Sequence, residues 1–312
     1  MANCFRQSIV SLLTSSPETA PEHRGYLVPF GVDSSPGSVP SLVPCYVAPR
    51  DGLQRPPSTV IGALAFFALD RETPIGPSTA LQLRMDLAVV RRCCQLVLEA
   101  VAAKSPVSLY CQVTHPGHHA GAEFFGGFCF VNNAAVFARH VQRRLGARVA
   151  VLDVDYHAGN GTMSVFYSDP SVLVVSLHAD PSVEYPFNAG FPDQTGAGPG
   201  SGTTLNLCLG RGTRWPAYRA ALEKGLQKIA EFGPAVLAVS LGLDTLAGDP
   251  VAFPTAAMQL EVEDFGRLGE VLLNDPRVAH LPKAFFQEGG YLLDDVTKGV
   301  LNFFVADKNN NK

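Results

Sequence analysis

Two adjacent histidines, His118 and His119, stand in the run Pro116-Gly117-His118-His119-Ala120-Gly121, and farther along comes Asp153-Val154-Asp155-Tyr156-His157. Paired imidazoles handle protons near neutral pH. An Asp and a His two positions apart offer the oxygen and nitrogen donors that suit zinc. Residues 153, 155 and 157 share one parity, so in extended chain their side chains project to the same side. Asp155 and His157 then form most of a metal site, with Asp153 behind them as a buried carboxylate needing a partner. A catalytic zinc takes three protein ligands and keeps a position open for water or substrate. The candidate for the third is Asp244, just past the apolar stretch Ala235-Val236-Leu237-Ala238-Val239-Ser240-Leu241. One such Asp alone reads as a polar turn closing a buried strand. Three ligand types at this spacing, beside tandem histidines, point to metal-assisted hydrolysis.

Short apolar, β-branched runs must carry these groups. Val149-Ala150-Val151-Leu152, Val107 to Val113, Ala235 to Leu241, Ala284-Phe285-Phe286 and Val172 to Val175 read as strands. The first four run directly into the Asp153 segment, the His118-His119 loop, Asp244 and Glu288-Gly289-Gly290-Tyr291. Helical spacing marks Thr79 to Ala103, Asn133 to Leu145, Ala217 to Phe232 and Glu261 to Leu273. The alternation predicts an α/β domain with an open, mostly parallel sheet flanked by helices, whose ligands bind outside the carboxyl ends of the strands. Residues 1–56 form a Pro/Ser/Gly-rich N-terminal region, 57–306 the catalytic domain and 307–312 a frayed polar tail. Gly196-Ala197-Gly198-Pro199-Gly200-Ser201-Gly202 is too irregular for a phosphate loop and reads as a substrate-side turn.

Pro116-Gly117-His118-His119, Gly126-Gly127-Phe128-Cys129-Phe130-Val131-Asn132-Asn133-Ala134-Ala135, Asp153-Val154-Asp155-Tyr156-His157, Ser240-Leu241-Gly242-Leu243-Asp244-Thr245 and Glu288-Gly289-Gly290-Tyr291 together resemble the histone deacetylase superfamily. Gly210-Arg211-Gly212-Thr213, Ile229-Ala230-Glu231-Phe232-Gly233 and Asp249-Pro250 bring the likeness nearest to its acetylpolyamine amidohydrolases. The resemblance spans roughly residues 57 to 306 and implies the arginase/deacetylase-like fold. It implies that Asp155, His157 and Asp244 bind zinc, that His118 pairs with Asp153 and His119 with Asn160, and that Tyr291 donates to the developing oxyanion. It further implies a potassium ion near Asp153, Asp155, His157, Ser176 and Leu177. The substrate it implies is a small acetylated amine, held in a slot walled by Gly127, Phe128 and Tyr185, with Glu72 near the mouth favouring a distal ammonium.

Several positions depart from the family's pattern. His115 stands where relatives often have Pro, Ala158 replaces a second histidine after His157, and Ile61 falls where a second acid is expected. Asn160 leaves His119 with a neutral partner, which lowers the pKa of the base relative to an Asp partner.

The chain has 312 residues, 46 % hydrophobic and 17 % charged, enough for one substantial core. A net charge of −4 without a basic patch argues against nucleic acid. No apolar run reaches membrane-spanning length. The seven cysteines form no Cys-x-x-Cys pair and read as buried thiols in a reducing compartment. The expected location is the cytoplasm, with organelle import the alternative on account of Arg6 and the short run Ile9 to Leu13; a homodimer is expected from the resemblance. The competing functions are a protein lysine deacetylase, a non-catalytic binding homologue and a dinuclear manganese hydrolase of the arginase type.

Overall fold

The computed structural model describes residue 55, residues 57–253 and residues 257–306. The N-terminal region read over 1–56, apart from residue 55, the tail 307–312 and the side chain of Ile61 lie outside the described residues. Strands β1 (Ser108–Cys111), β2 (Val149–Asp153), β3 (Val172–Ala179), β4 (Thr204–Leu209), β5 (Val236–Leu241) and β6 (Lys283–Gln287) form a single sheet in the order β1-β6-β5-β2-β3-β4. Every pairing in it is parallel. The helices are α1 (Val60–Phe67), α2 (Thr79–Ala103), α3 (Asn133–Leu145), α4 (Asn160–Phe166), α5 (Trp215–Phe232), α6 (Val262–Asn274) and α7 (Leu293–Val305).

Both faces of the sheet are covered, as a parallel sheet requires. Val149 and Val151 of β2 join a buried cluster with Val90, Cys93 and Val97 of α2 and Phe137 and Val141 of α3. Ala150 and Leu152 face the opposite layer, built from Leu222 and Leu226 of α5, Phe265 and Leu268 of α6 and Phe303 of α7. The two-residue period of the strand thus feeds two cores. A third, smaller cluster joins Leu64 and Phe67 of α1 to Ile75, Leu83, Phe125 and Phe130.

Helix ends follow local chemistry. The side chain of Asn132 caps α3 by accepting from Ala135 N at 2.9 Å, and Gly146 ends that helix in the left-handed conformation. Pro216 lies in the first turn of α5, where its missing N–H costs nothing.

The strand order positions the site. From β2 the chain moves outward through β3 to β4, then returns to place β5 on the other side of β2 before adding β6. The order therefore reverses between β2 and β5, and a crevice opens at their carboxyl ends. Asp155 and His157 follow β2, and Asp244 follows β5, so the trio spans that crevice. The glycine-rich stretch 196–202 corrects the reading of a substrate-side turn. Ala197 N donates to Tyr167 O at 2.8 Å, and Gly200 packs on Ser168 and Asp169, just ahead of β3. It leads into the start of β4, at the amino edge of the sheet and away from the crevice.

Candidate active site

Asp155, His157 and Asp244 are buried and bring one ligand atom each within 4.8 Å of one another. His157 Nδ1 is 3.1 Å from Asp244 Oδ2 and 3.3 Å from Asp155 Oδ1. The convergence arises from a tight bend after β2 rather than from continued strand: His157 N donates back to Asp155 Oδ1 at 2.8 Å. Backbone donors aim the outer oxygens, with Gly289 N on Asp155 Oδ2 at 2.8 Å and Tyr156 N on Asp244 Oδ1 at 2.9 Å. A Cβ on Gly289 would lie 2.4 Å from Asp244 Oδ2, so only glycine lets the β6 loop approach the carboxylates.

The charge balance fits a divalent cation. Burial and the neighbouring charge of Asp155 push Asp244 up to about 7. Burial opposes charge on His157, but its bonds to Asp155 and Asp244 outweigh that and raise it to about 10. Among the described residues no Lys or Arg lines the cavity. A donor set of two carboxylate oxygens and one imidazole nitrogen is one that zinc accepts.

A second cluster, His118, Cys129 and Glu288, has ligand atoms equally close together. Glu288 is committed elsewhere: its Oε2 accepts from Gly117 N at 2.5 Å and His118 N at 3.1 Å, and its Oε1 from Ser240 Oγ at 3.0 Å. Three protein donors make it the anchor of the histidine loop, which weighs against the dinuclear alternative.

The tandem histidines lie with ring centroids 4.0 Å apart and face different partners. His118 Nδ1 donates to Asp153 Oδ2 at 3.0 Å, and its Nε2 lies 3.6 Å from Asp155 Oδ1. Burial disfavours charge on His118, yet the Asp155 and Asp153 carboxylates outweigh it and hold the group well above its ordinary value. His119 Nδ1 donates to Asn160 Oδ1, the first residue of α4, at 2.7 Å. A carbonyl oxygen only accepts, so this contact places the proton on Nδ1 and leaves Nε2 as the basic nitrogen. Burial, then the positive neighbours His118 and His157, push His119 well below the ordinary value. One imidazole is held charged and the other neutral.

Asn132 and Asn133 fasten the loop on both sides, through Asn132 Nδ2 to Ala120 O at 3.1 Å and Asn133 Nδ2 to His115 O at 3.1 Å. His115 itself bonds Asp86 of α2 through Nδ1 at 3.2 Å. This gives the unusual histidine a structural role at the base of the loop. Ala158 is buried, and a Cβ on Gly190 would lie 2.6 Å from the Ala158 Cβ.

A cavity of about 510 Å³ opens over these groups, lined among others by Asp70, Glu72, His119, Phe128, Tyr185 and Tyr291. Gly127 and Phe128 both take left-handed backbone, with φ of 55° and 66°, and a Cβ on Gly127 would sit 2.3 Å from the His119 ring. Tyr185 meets His119 edge-on at 4.8 Å, and the Phe128 and Tyr291 rings lie 5.9 Å apart. Burial raises the Tyr291 phenol above its ordinary value, so it stays a donor. Glu72 reaches the cavity from an exposed loop. Ser176 lies beside Asp153 in the β3 to β2 register, with its Oγ 2.8 Å from His178 Nδ1, and Leu177 is buried next to it. Two lining acids, Asp70 and Glu184, were not singled out by sequence. Leu69-Asp70-Arg71-Glu72 reads as a charged surface turn, and Glu184 stands among loop residues.

A parallel sheet that gathers an Asp-His-Asp trio and a histidine pair on one rim is the arginase/deacetylase architecture. The histone deacetylase domain matches residues 48–306. Acetylpolyamine amidohydrolase 1 of Pseudomonas aeruginosa is 36 % identical over 248 residues, 79 % of this chain and 67 % of that protein. The acetylpolyamine amidohydrolase of Mycoplana ramosa is 36 % identical over 248 residues, 80 % of this chain and 69 % of that protein. The crystal structure of acetylpolyamine aminohydrolase from Burkholderia pseudomallei superposes with a TM-score of 0.79 at 29 % identity, covering 98 % of this chain and 80 % of that one. The chain belongs to the histone deacetylase family. It is a deacetylase, an enzyme that hydrolyses linear amides.

Proposed function

We propose that the enzyme removes acetyl groups from acetylpolyamines or closely similar small amines, using zinc held by Asp155, His157 and Asp244. The observation that carries this reading is the opposed environment of the two histidines above the buried Asp155, His157 and Asp244. A cation there supplies Lewis acidity to the amide carbonyl and lowers the pKa of water.

The chain's own groups do the rest. His119, neutral and with Nε2 unprotonated, takes the proton of the attacking water and delivers it to the departing amine nitrogen. His118, paired with Asp153, stabilises the negative charge that develops beside it. The Tyr291 hydroxyl donates to the oxygen that becomes an oxyanion. Gly127, Phe128 and Tyr185 enclose a methylene chain, each buried CH₂ contributing roughly 0.8 kcal/mol.

Among the described residues no Lys or Arg lines the cavity, and Glu72 at its mouth favours a substrate that carries a second, cationic amine. This and the similarity to acetylpolyamine amidohydrolases support a small amine over an acetyl-lysine polypeptide. Potassium near Asp153, Ser176 and Leu177 belongs to the same reading, supported by the Asp153 to Ser176 register. So does a reducing, cytoplasmic location, supported by the free thiols of Cys93, Cys94, Cys111, Cys129 and Cys208. A homodimer rests on the resemblance, and sedimentation tests it.

Turnover of N-acetylputrescine against an acetyl-lysine peptide decides the substrate class. Higher kcat/KM on the small amine is expected; a preference for the peptide by orders of magnitude reassigns the enzyme as a protein deacetylase. Absence of turnover on either substrate leaves the non-catalytic alternative.

A further inference from the structure

The two aromatic walls of the slot meet at a single carboxylate. Asp70 follows a short parallel contact between the chain leaving α1 and the Phe125 segment, where Leu69 N donates to Phe125 O at 2.7 Å and Phe125 N to Phe67 O at 2.9 Å. From there a single oxygen, Asp70 Oδ2, accepts from the Tyr185 hydroxyl at 2.6 Å and from Gly127 N at 2.6 Å. The other oxygen accepts from Glu72 N at 2.9 Å and Thr73 Oγ1 at 3.3 Å. Thr73 Oγ1 in turn accepts from Phe128 N at 2.9 Å, so the relay reaches the second wall residue as well.

Each of these contacts restrains something that would otherwise move. Phe128 holds a left-handed backbone that costs a non-glycine residue energy, and its N–H is anchored through Thr73. Tyr185 is held at both ends, its hydroxyl by Asp70 and its backbone N–H by Glu184 Oε1 at 2.8 Å. Bonds to an ionised carboxylate are roughly twice as strong as neutral ones. With both oxygens occupied by protein donors, Asp70 differs from Glu72, whose backbone it holds: it is engaged by the walls rather than offered to a ligand.

Building on the amide-hydrolase reading above, we infer that Asp70 is a positioning residue that sets the width of the substrate slot by tying Tyr185 and Gly127-Phe128 to one carboxylate, and so selects slender, unbranched amine chains. A wall displaced by a fraction of an ångström changes how the scissile amide lies against His119, and such displacement lowers rate steeply.

Asp70→Asn tests this, because an amide has one acceptor oxygen and cannot serve the donors on both sides. Thr73→Val breaks the link to Phe128 and leaves the charge of Asp70 in place. The measurement is kcat/KM on N-acetylputrescine and on an analogue bearing a methyl branch two carbons from the amide nitrogen, with zinc content and melting temperature recorded for each protein. For Asp70→Asn, kcat/KM on the slender substrate is expected to fall roughly tenfold, within the range that misplacement of a substrate produces. The branched-to-slender ratio should rise, and Thr73→Val should move the ratio in the same direction by less.

Equal loss on both substrates at full zinc content means a general structural role and overturns the inference, as does no loss at all. If Asp70→Asn fails to fold, the Thr73→Val ratio decides, and an unchanged ratio overturns the inference. A wild-type enzyme inactive on both amines removes the functional reading, and this inference with it. That outcome is distinct from an active wild type whose variants keep its selectivity.

Discussion

His118 and His119 stand with ring centroids 4.0 Å apart and are driven to opposite protonation states. Burial acts against charge on both. Two carboxylates override it at His118, whereas His119 has a neutral amide partner and positive neighbours. Replacing that partner by a carboxylate, Asn160→Asp, should stabilise the imidazolium of His119 and raise its pKa. The acid limb of the kcat/KM profile, which requires the neutral base, is then expected to move to higher pH. A limb that stays in place or moves down contradicts the role of His119 as base.

Tyr291→Phe removes one hydroxyl and leaves the trio intact. The expected loss in kcat is about 10²–10³, the scale of one oxyanion donor, with zinc content unchanged. Full turnover in the variant, read by steady-state kinetics beside metal analysis, leaves the hydroxyl without that role.

Glu72 lies on an exposed loop at the cavity. Glu72→Ala should raise KM for a substrate with a distal ammonium by roughly three- to fivefold, the scale of an exposed ion pair. A neutral acetylated amine of equal length should change little. Equal effects on both make Glu72 an ordinary surface acid.

Asp86 links α2 to the start of the histidine loop, accepting from Thr114 N at 2.7 Å and from His115 Nδ1 at 3.2 Å. Burial pushes its carboxyl up, but the bonds from His115 and Thr114 outweigh that and hold it below the ordinary 3.8. A carboxylate depressed in the folded state contributes stability above its unfolded pKa and loses it as pH falls through the folded value. The melting temperature of Asp86→Asn should therefore lie below that of wild type near neutral pH, with the gap closing as pH drops below 3.8. A gap that is constant with pH contradicts this assignment.

Much of this was legible in the sequence, because strong periodicity and rare residue types are local signals. α2 was read with its observed bounds, Thr79–Ala103, as was α3, Asn133–Leu145. β2 and β5 stood out as fully buried runs. β4 escaped because it is an edge strand whose polar residues interrupt the pattern, with only alternate positions buried at its start. α1, α4 and α7 were missed; α4 is only one to two turns long and carries no capping bond. The glycine-rich stretch was assigned to the wrong edge, since local composition carries no information about which end of a sheet a turn occupies. Asp70 and Glu184 were invisible for a related reason. Their partners lie far away in sequence, Asp70 reaching Tyr185 and Glu184 reaching Tyr156 and Phe253, and only the fold brings them together.

If Asp155, His157 and Asp244 hold a single cation, metal content measured together with activity reads it out. One zinc per chain is expected, with loss of turnover on chelation, recovery on adding zinc, and loss of bound zinc in Asp244→Ala with the chain still folded. Full activity in metal-free protein, two metals per chain, or undiminished zinc in Asp244→Ala would contradict it.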